Sequence, residues 1–250
     1  MADFLLRIEF AKQGPVIWLS HLELVRAMER CVRRSGLPYA VSQGFNPHMK
    51  HSFTAALPVG TGSDGEYMEV SLSDLVEPKQ ALSALQAVQH GCLPVLSTAY
   101  APKDAPSLQV YFNEARYRAV FEDANTEMEG FTSAQTPKDC KSAQAPGDSS
   151  GVPAPEGSGI SPIEELLRRL HTRETVEVIK KGKLRTYDLG LYVTHAEQDA
   201  VDPNVLFLTV LSRPEGSLRP EKILAALSRP DLNLKIASLT RVNLQHKELA

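Results

Sequence analysis

The sequence contains little cysteine and no cysteine motif. Cys31, Cys92 and Cys140 are widely spaced along 250 residues, a pattern typical of reduced thiols and not of a disulfide framework. Because no CxxC or CxxxCxxC spacing occurs, the chain cannot by itself build a zinc ribbon or a cysteine-ligated iron–sulfur cluster. We therefore expect no metal or cofactor in this chain.

Long apolar runs are also absent. None approaches the roughly 18 residues needed to span a bilayer, and the first ten residues, MADFLLRIEF, are interrupted by Asp3, Arg7 and Glu9, unlike the apolar core of a secretory signal. The sequence predicts a cytoplasmic protein that does not contact a membrane.

The chain as a whole carries no strong excess of charge, with 27 basic and 30 acidic residues. The distribution is uneven, because residues 1–60 hold seven Lys and Arg against four Asp and Glu, together with three of the seven histidines. A basic segment in a slightly acidic protein indicates an anionic partner at one face. Ordinary scatter of surface charge is the alternative.

Residues 125–159 have almost no large apolar side chains and predict a disordered insertion. The apolar periodicity on either side predicts the order βαββαβ twice, hence an α+β protein of two tandem ferredoxin-like units, at 1–106 and 107–250. The predicted strands are 6–10, 51–57, 66–72, 95–100, 117–122, 175–180, 205–211 and 234–242. The predicted helices begin at the caps Ser20 and Ser161 and also cover 78–90 and 220–227.

The first predicted helix combines an apolar stripe with a basic one. Ser20 and Glu23 form a capping-box pattern, and the helix is expected to stop at Gly36. Its solvent side carries arginines at helical spacing, namely Arg26, Arg30, Arg33 and Arg34. This stripe fits neutralisation of RNA phosphates, although a plain solvated face would have the same pattern.

Aromatic residues in the same segment could stack on bases. Phe45, Trp18 and Tyr39 are available for this role. Taken singly, Phe45 and Trp18 are expected in the core, because large aromatic side chains are usually buried.

The stretch SQGFNPHMKHSF, residues 42–53, is dense in polar and imidazole groups. Asn46-Pro47 predicts a turn, and a turn leaves His48 and Lys50 without a role. We predict an anion-binding or RNA-binding pocket in which Gln43, Asn46, His48 and Lys50 meet the start of the first helix at Ser20 and His21. Alternatively, Asn46 only closes a turn and His21 only packs.

The runs GPVIWLSHLELVRAMERCVRRSGLPYAVSQGFNPHMKHSFTAALPVG and GEYMEV resemble a bacterial domain-of-unknown-function family associated with radical-SAM enzymes. KKGKLRTYDLGLYV is similar to its second half. Met49 and His51 depart from the family pattern. The matching positions are Ser20, His21, Leu22, Arg26, Ser42, Gln43, Gly44, Phe45, Asn46, Pro47, His48, Lys50, Ser52, Phe53, Leu57, Pro58, Gly60, Glu66 and Tyr67.

The resemblance implies a separate radical-SAM partner that holds the iron–sulfur cluster, S-adenosylmethionine and cobalamin. Together with the basic helix, this leads us to expect an RNA-binding accessory protein that presents tRNA or rRNA to that enzyme for modification. The two-unit architecture also looks like that of the CRISPR repeat-processing endoribonucleases. The alternatives are thus a metal-independent endoribonuclease, with His21 and His48 as acid and base and Lys50 stabilising charge, or a protein-interaction scaffold. We expect no catalytic activity from this chain alone, with the endoribonuclease as the alternative.

Overall fold

The computed structural model describes residues 4–102, 104–122, 161–180, 182–214, 216–228 and 234–247. The predicted insertion at 125–159 and Cys140 lie outside these residues. Within them, the ten strands are β1 (Phe4–Lys12), β2 (His51–Phe53), β3 (Thr61–Leu72), β4 (Val95–Tyr100), β5 (Glu114–Phe121), β6 (Thr175–Lys180), β7 (Lys183–Asp188), β8 (Val193–Gln198), β9 (Val205–Leu211) and β10 (Ile236–Gln245). The six α-helices of these described residues are α1 (His21–Arg34), α2 (Pro78–Gln86), α3 (Leu108–Tyr111), α4 (Pro162–His171), α5 (Leu189–Tyr192) and α6 (Pro220–Leu227).

Most of the described strands belong to one sheet. Its order is β4-β1-β3-β10-β5-β9-β8, and β2 pairs with β3 beside this path. The pairings are antiparallel except for a short parallel contact, in which residues 239–241 of β10 lie beside residues 61–63 of β3. The predicted mixture of helices and antiparallel strands is thus confirmed, and the sheet continues across the predicted boundary at residue 106.

Helix starts follow the local sequence signals. Ser20 and Ser161 both cap their helices with a complete capping box, as predicted. Proline occupies the first turn of α2, α4 and α6, where its missing N–H has no helical acceptor in any case. No helix in the described ranges is long and apolar enough to cross a membrane.

Two hydrophobic clusters fill the helix-bearing side of the sheet in the described structure. One lies under α1 and α2 and includes Leu6, Ile8, Phe10, Leu24, Met28, Val32, Met68, Val70 and Leu85. The other lies under α4 and α6 and includes Tyr117, Phe121, Ile163, Leu166, Leu170, Leu208, Ile223 and Leu227. Each half of the chain therefore has its own core, and the sheet joins the two.

The second half departs from the predicted strand order. Residues 175–180 were expected in the main sheet, but β6 pairs with β7 in a separate two-stranded sheet that packs on α6. The strand beside β9 is β8, which the sequence pattern missed. A register shift between Val193 and His195 breaks the alternation of buried and exposed residues in β8, so the period of two is lost.

Candidate functional site

Helix α1 presents the basic face of the protein. Its buried side consists of Leu24, Met28, Cys31 and Val32. At its start, the Ser20 hydroxyl accepts the Glu23 N–H at 3.4 Å, and the Glu23 carboxylate accepts the Ser20 N–H at 2.9 Å. Hydrogen bonds from the Ser20 side chain and backbone lower the pKa of Glu23. A carboxylate therefore already occupies this helix terminus, where the sequence had suggested an anion site.

The predicted arginine stripe lies in solvent. Arg26, Arg30, Arg33 and Arg34 are all exposed, and Arg33 contacts Glu29 one helical turn earlier at 3.4 Å. Exposed ion pairs of this kind contribute little to stability. Four exposed guanidinium groups thus follow one side of a 14-residue helix.

The loop before β2 is held together by its own hydrogen bonds. An isolated bridge between Val41 and Met49 closes it. The Ser42 N–H donates to the His48 carbonyl at 2.8 Å, and the His48 N–H donates to the Ser42 hydroxyl at 3.1 Å. The ring nitrogen Nδ1 of His48 lies 2.9 Å from that hydroxyl. His48 therefore has a role in closing the loop, which the sequence had assigned to Asn46.

The remaining predicted residues of the loop face solvent. Gln43, Asn46 and Lys50 are exposed, and the backbone of Lys50 bonds to Ala40 and Ser71 on either side. Gly44, at φ 135°, has a backbone conformation that favours glycine. The loop thus presents polar side chains to solvent, while backbone hydrogen bonds hold its two ends together.

Two histidines flank Phe53 beside α1. The rings of His21 and His51 meet Phe53 edge-on, with centroids at 5.9 and 5.4 Å, and His51 Nε2 lies 2.9 Å from Glu29 Oε1. Phe53 lies near His21 at the start of α1, and His51 lies near Glu29, about two turns further along the helix. Strand β2 therefore runs antiparallel to α1. His48 precedes His51, so its loop extends toward the C-terminal half of the helix. A shared pocket for His21 and His48 stays a prediction.

Two aromatic residues that were expected in the core are outside it. Phe45 is fully exposed at the tip of the loop, and Trp18 is 67% exposed. The core assignment of both is therefore wrong. Phe45 sits in a loop that folds on itself, and Trp18 lies over Gly60, where an added Cβ would approach the ring within 3.0 Å. Tyr39, by contrast, packs against the core of the first half.

Sequence reasoning missed a buried ion pair between the two halves. Arg241 Nε donates to Glu66 Oε1 at 2.7 Å, Arg241 Nη2 donates to the second carboxylate oxygen and to the Ala55 carbonyl, and Thr54 also donates to Glu66. Burial alone would lower the pKa of Arg241, but Glu66 and Tyr117 outweigh it and raise that pKa. The pair links β3 to β10 at the parallel contact.

Lys12 is buried beside this ion pair. Its ammonium group donates to the carbonyls of Ile17 at 2.9 Å and Leu19 at 3.1 Å, which anchors the turn that leads into α1. Desolvation lowers the pKa of Lys12, although Glu66 nearby acts in the opposite direction. The basic helix is thereby fixed to the joint between the halves.

The side of the first half that faces away from α1 and α2 is covered and partly acidic. Arg7 pairs with Glu69 at 2.7 Å, and the ring of Phe112, which follows α3, stacks on Tyr67 with centroids 4.4 Å apart. The Arg7 guanidinium lies over the rings of Tyr111 and Phe112. This side therefore does not offer a free basic surface, in contrast to α1.

Tyr67 gives a pH-dependent test of this covered side. Burial, with the adjacent Glu9 carboxylate, raises the pKa of Tyr67 from 10.0 to about 12. The folded protein keeps a proton that the unfolded chain releases, so stability should fall as pH rises from 10 towards 12. Tyr67→Phe has no hydroxyl to titrate, so we expect this variant to lose about 1 kcal/mol less stability than wild type over this pH range. The difference is smaller than for a fully buried hydroxyl because the Tyr67 side chain is partly exposed.

Urea unfolding at pH 9, 10 and 11 measures this difference, and Tyr39→Phe is the control that also removes one hydroxyl. An identical pH dependence for wild type and Tyr67→Phe would contradict the assignment.

Within the described part of the chain, no three His, Cys, Asp or Glu side chains come together as metal ligands would. The geometry defines an α+β protein with an exposed arginine helix. Its sequence matches, over residues 5–220, the family described as "Uncharacterized protein conserved in bacteria (DUF2344)". The chain belongs to this family.

The other comparisons give no functional information. No curated protein matches the sequence. One similar solved structure is described as "Crystal Structure of an Unknown Protein from Galdieria sulphuraria", at 13% identity, with 99% of this chain and 100% of that chain covered and a TM-score of 0.25. Function is therefore inferred from the basic face.

Proposed function

We propose that this protein binds RNA on the exposed face of α1 and serves as an accessory protein to a separate radical-SAM enzyme that modifies tRNA or rRNA. The observation that carries the proposal is the row of four exposed guanidinium groups on α1. Each can neutralise a phosphate, and phosphate contacts supply most of the non-specific affinity for nucleic acid.

Exposed aromatic side chains support RNA over other polyanions. Phe45 and Trp18 both present ring surface to solvent in the same half of the protein as α1. Single-stranded RNA offers unstacked bases, and an aromatic ring that stacks on a base contributes about 1–3 kcal/mol. A surface with guanidinium groups and exposed aromatic rings can therefore bind both the phosphates and the bases of an RNA chain.

The partner follows from the family resemblance and from the missing cysteine motif. The radical-SAM enzyme would hold the iron–sulfur cluster, S-adenosylmethionine and cobalamin, and this chain would present the RNA. We further infer that each half is a ferredoxin-like unit. In support, the strand orders β4-β1-β3-β2 and β10-β5-β9-β8 are the same when only the strands of the main sheet are numbered in each half, with β6 and β7 left out as an inserted hairpin.

The endoribonuclease alternative has less support. His21 packs against Phe53, while His48 hydrogen bonds inside its own loop. An acid and a base for RNA cleavage must reach the same phosphate and ribose, and the described contacts of these two rings do not converge. Incubating the isolated chain with total RNA and finding cleavage abolished by His48→Ala would reverse this preference.

The arginine stripe is tested by removing it. The triple variant Arg26→Ala, Arg30→Ala, Arg33→Ala should bind RNA at least about tenfold more weakly at low salt, because three phosphate contacts are lost. Its slope of log affinity against log salt should also become shallower by about 2 to 3, since each of the three phosphate contacts contributes about 0.7 to 0.9. Fluorescence anisotropy with a labelled structured RNA measures both quantities.

A control must remove the same charge elsewhere. Arg168, Lys222 and Lys235 are exposed residues of the second half, so their triple alanine variant changes the net charge equally. We expect it to bind RNA nearly as wild type does. Equal weakening in the two triple variants would mean that only net charge matters, and no RNA binding by the wild type would refute the proposal.

A further inference from the structure

We propose that the groove between α1 and residues 87–93 binds one nucleotide of the RNA, with the base inside and its phosphate at the rim. This inference rests on the proposed function and names the part of the RNA that the basic face recognises. The groove has a volume of about 540 Å³, which lies within the usual range for small-molecule sites, about 300–1,000 Å³.

The rim of the groove is lined with hydrogen-bond donors. Arg30 and Arg34 stand on the α1 side, and Gln89 and His90 stand on the other. His90 Nδ1 accepts the Cys92 N–H at 3.1 Å, so a neutral ring carries its proton on Nε2 as a second donor. Gln89 Oε1 likewise accepts the Val95 N–H at 2.6 Å, which leaves the amide nitrogen as the donor.

No acidic residue is among the described residues that line this groove. Arg30, Arg34, Gln89 and His90 can therefore donate to an anion without a competing carboxylate among these lining residues. Guanidinium groups bind phosphate through paired hydrogen bonds, so a phosphate is the anion that this rim fits best.

The floor of the groove is apolar. The apolar residues that line it are Val16, Leu19, Ala27, Met28, Cys31, Ala87, Val88 and Leu93, of which Met28, Cys31 and Leu93 are buried. Burial raises the pKa of Cys31, so its thiol stays neutral. Inorganic phosphate would leave this floor exposed to water, whereas a nucleobase would cover it. The combination of an apolar floor and a cationic rim is complementary to a nucleotide.

The neighbouring charges favour a nucleotide within a chain. Arg26 and Arg33 continue the stripe outside the groove on the same helix, where they could hold the phosphates on either side. An RNA strand that follows α1 would then turn one base into the groove. The carboxylate side chains of an acidic peptide could use the same arginines, but they carry no planar group for the floor.

Binding of uridine 5′-monophosphate, uridine and inorganic phosphate to the full chain, each measured by calorimetry, tests the site. We expect the monophosphate to bind at least about tenfold more tightly than either of the other two, because only it uses both floor and rim. Arg34→Glu should abolish this preference. The matched control is Arg168→Glu, which reverses an exposed arginine in the last turn of α4.

A second variant blocks the groove without changing charge. Ala27 faces the groove from α1 and is half-buried, so Ala27→Leu should fill part of the floor. We expect it to weaken monophosphate binding at least about tenfold while thermal melting shows a folded protein. A folded Ala27→Leu variant that binds the monophosphate as wild type does would overturn the proposal.

Crosslinking separates this site from RNA binding in general. An oligonucleotide that contains 4-thiouridine should crosslink under light to residues 27–34 or 87–93. If the wild type binds RNA but crosslinks elsewhere and Ala27→Leu has no effect, the groove proposal fails and RNA binding stands. If the monophosphate binds in the groove and no RNA binds, the site serves free nucleotides, and the inference about RNA fails together with the proposed function.

Discussion

Replacing Arg241 with methionine is expected to destabilise the folded protein by about 3–5 kcal/mol, because it leaves the Glu66 carboxylate buried without its cation. Both side chains are at most 4% exposed, so water cannot replace the lost hydrogen bonds. The Ala55 carbonyl and the Tyr117 hydroxyl would each lose a hydrogen-bond donor as well. Equilibrium unfolding in urea measures the effect.

The control is the exposed ion pair between Arg168 and Glu165. Arg168→Met should change stability by less than about 1 kcal/mol. The double variant Glu66→Leu, Arg241→Met should recover much of the loss, since two apolar side chains need no partner. If Arg241→Met unfolds at the same urea concentration as Arg168→Met, the pair does not join the halves as described.

The second large effect concerns two phenylalanines that the sequence motif places eight residues apart. Phe53 is buried and contacts Phe10, His21 and His51, whereas Phe45 is fully exposed. Phe53→Ala should cost about 3–5 kcal/mol of stability. Phe45→Ala should change stability by less than about 0.5 kcal/mol and weaken RNA binding by about 1–3 kcal/mol.

Each variant is the control for the other, because both remove one ring from the same motif. Urea unfolding and anisotropy with the labelled RNA, carried out on both, give four values. A Phe45→Ala variant with unchanged RNA affinity would remove the stacking role. A Phe53→Ala variant that remains as stable as wild type would show that the histidines beside β2 are not held by this ring.

The elements that the sequence predicted well are those with one strong local signal. Helix α1 has a capping box, an apolar stripe and a terminating glycine, and α6 has a proline start, so both lie where their patterns place them. Strand β4 also agrees with its predicted range. By contrast, β3 begins five residues before the predicted start at residue 66, because its first residues, TGSDG, show no apolar alternation.

The buried polar residues could have been found from strand parity. Lys12 continues the inward series of Leu6, Ile8 and Phe10, and Glu66 belongs to the inward series of Met68 and Val70. A period-two pattern that runs into a charged residue predicts a buried charge, which must have a partner. The identity of the partner, Arg241, could not be predicted, since it lies 175 residues from Glu66.

The exposed aromatics were misjudged for the opposite reason. Burial statistics assign Phe and Trp to the core by default, but the loop that carries Phe45 folds through hydrogen bonds between Ser42 and His48. Such a loop needs no apolar anchor. At the candidate site, sequence thus identified the arginine stripe, while the groove depends on how α1 meets residues 87–93.

The parallel contact between β3 and β10 has a consequence for biosynthesis. Residues 61–63 of β3 pair with residues 239–241, which are synthesised after the whole of α1 and its core. Until then a nascent N-terminal half exposes an unpaired strand edge and an uncompensated Glu66, and such edges promote association between chains. Truncation shortly before residue 236 should therefore yield a product that aggregates, even though α1 and its core are complete.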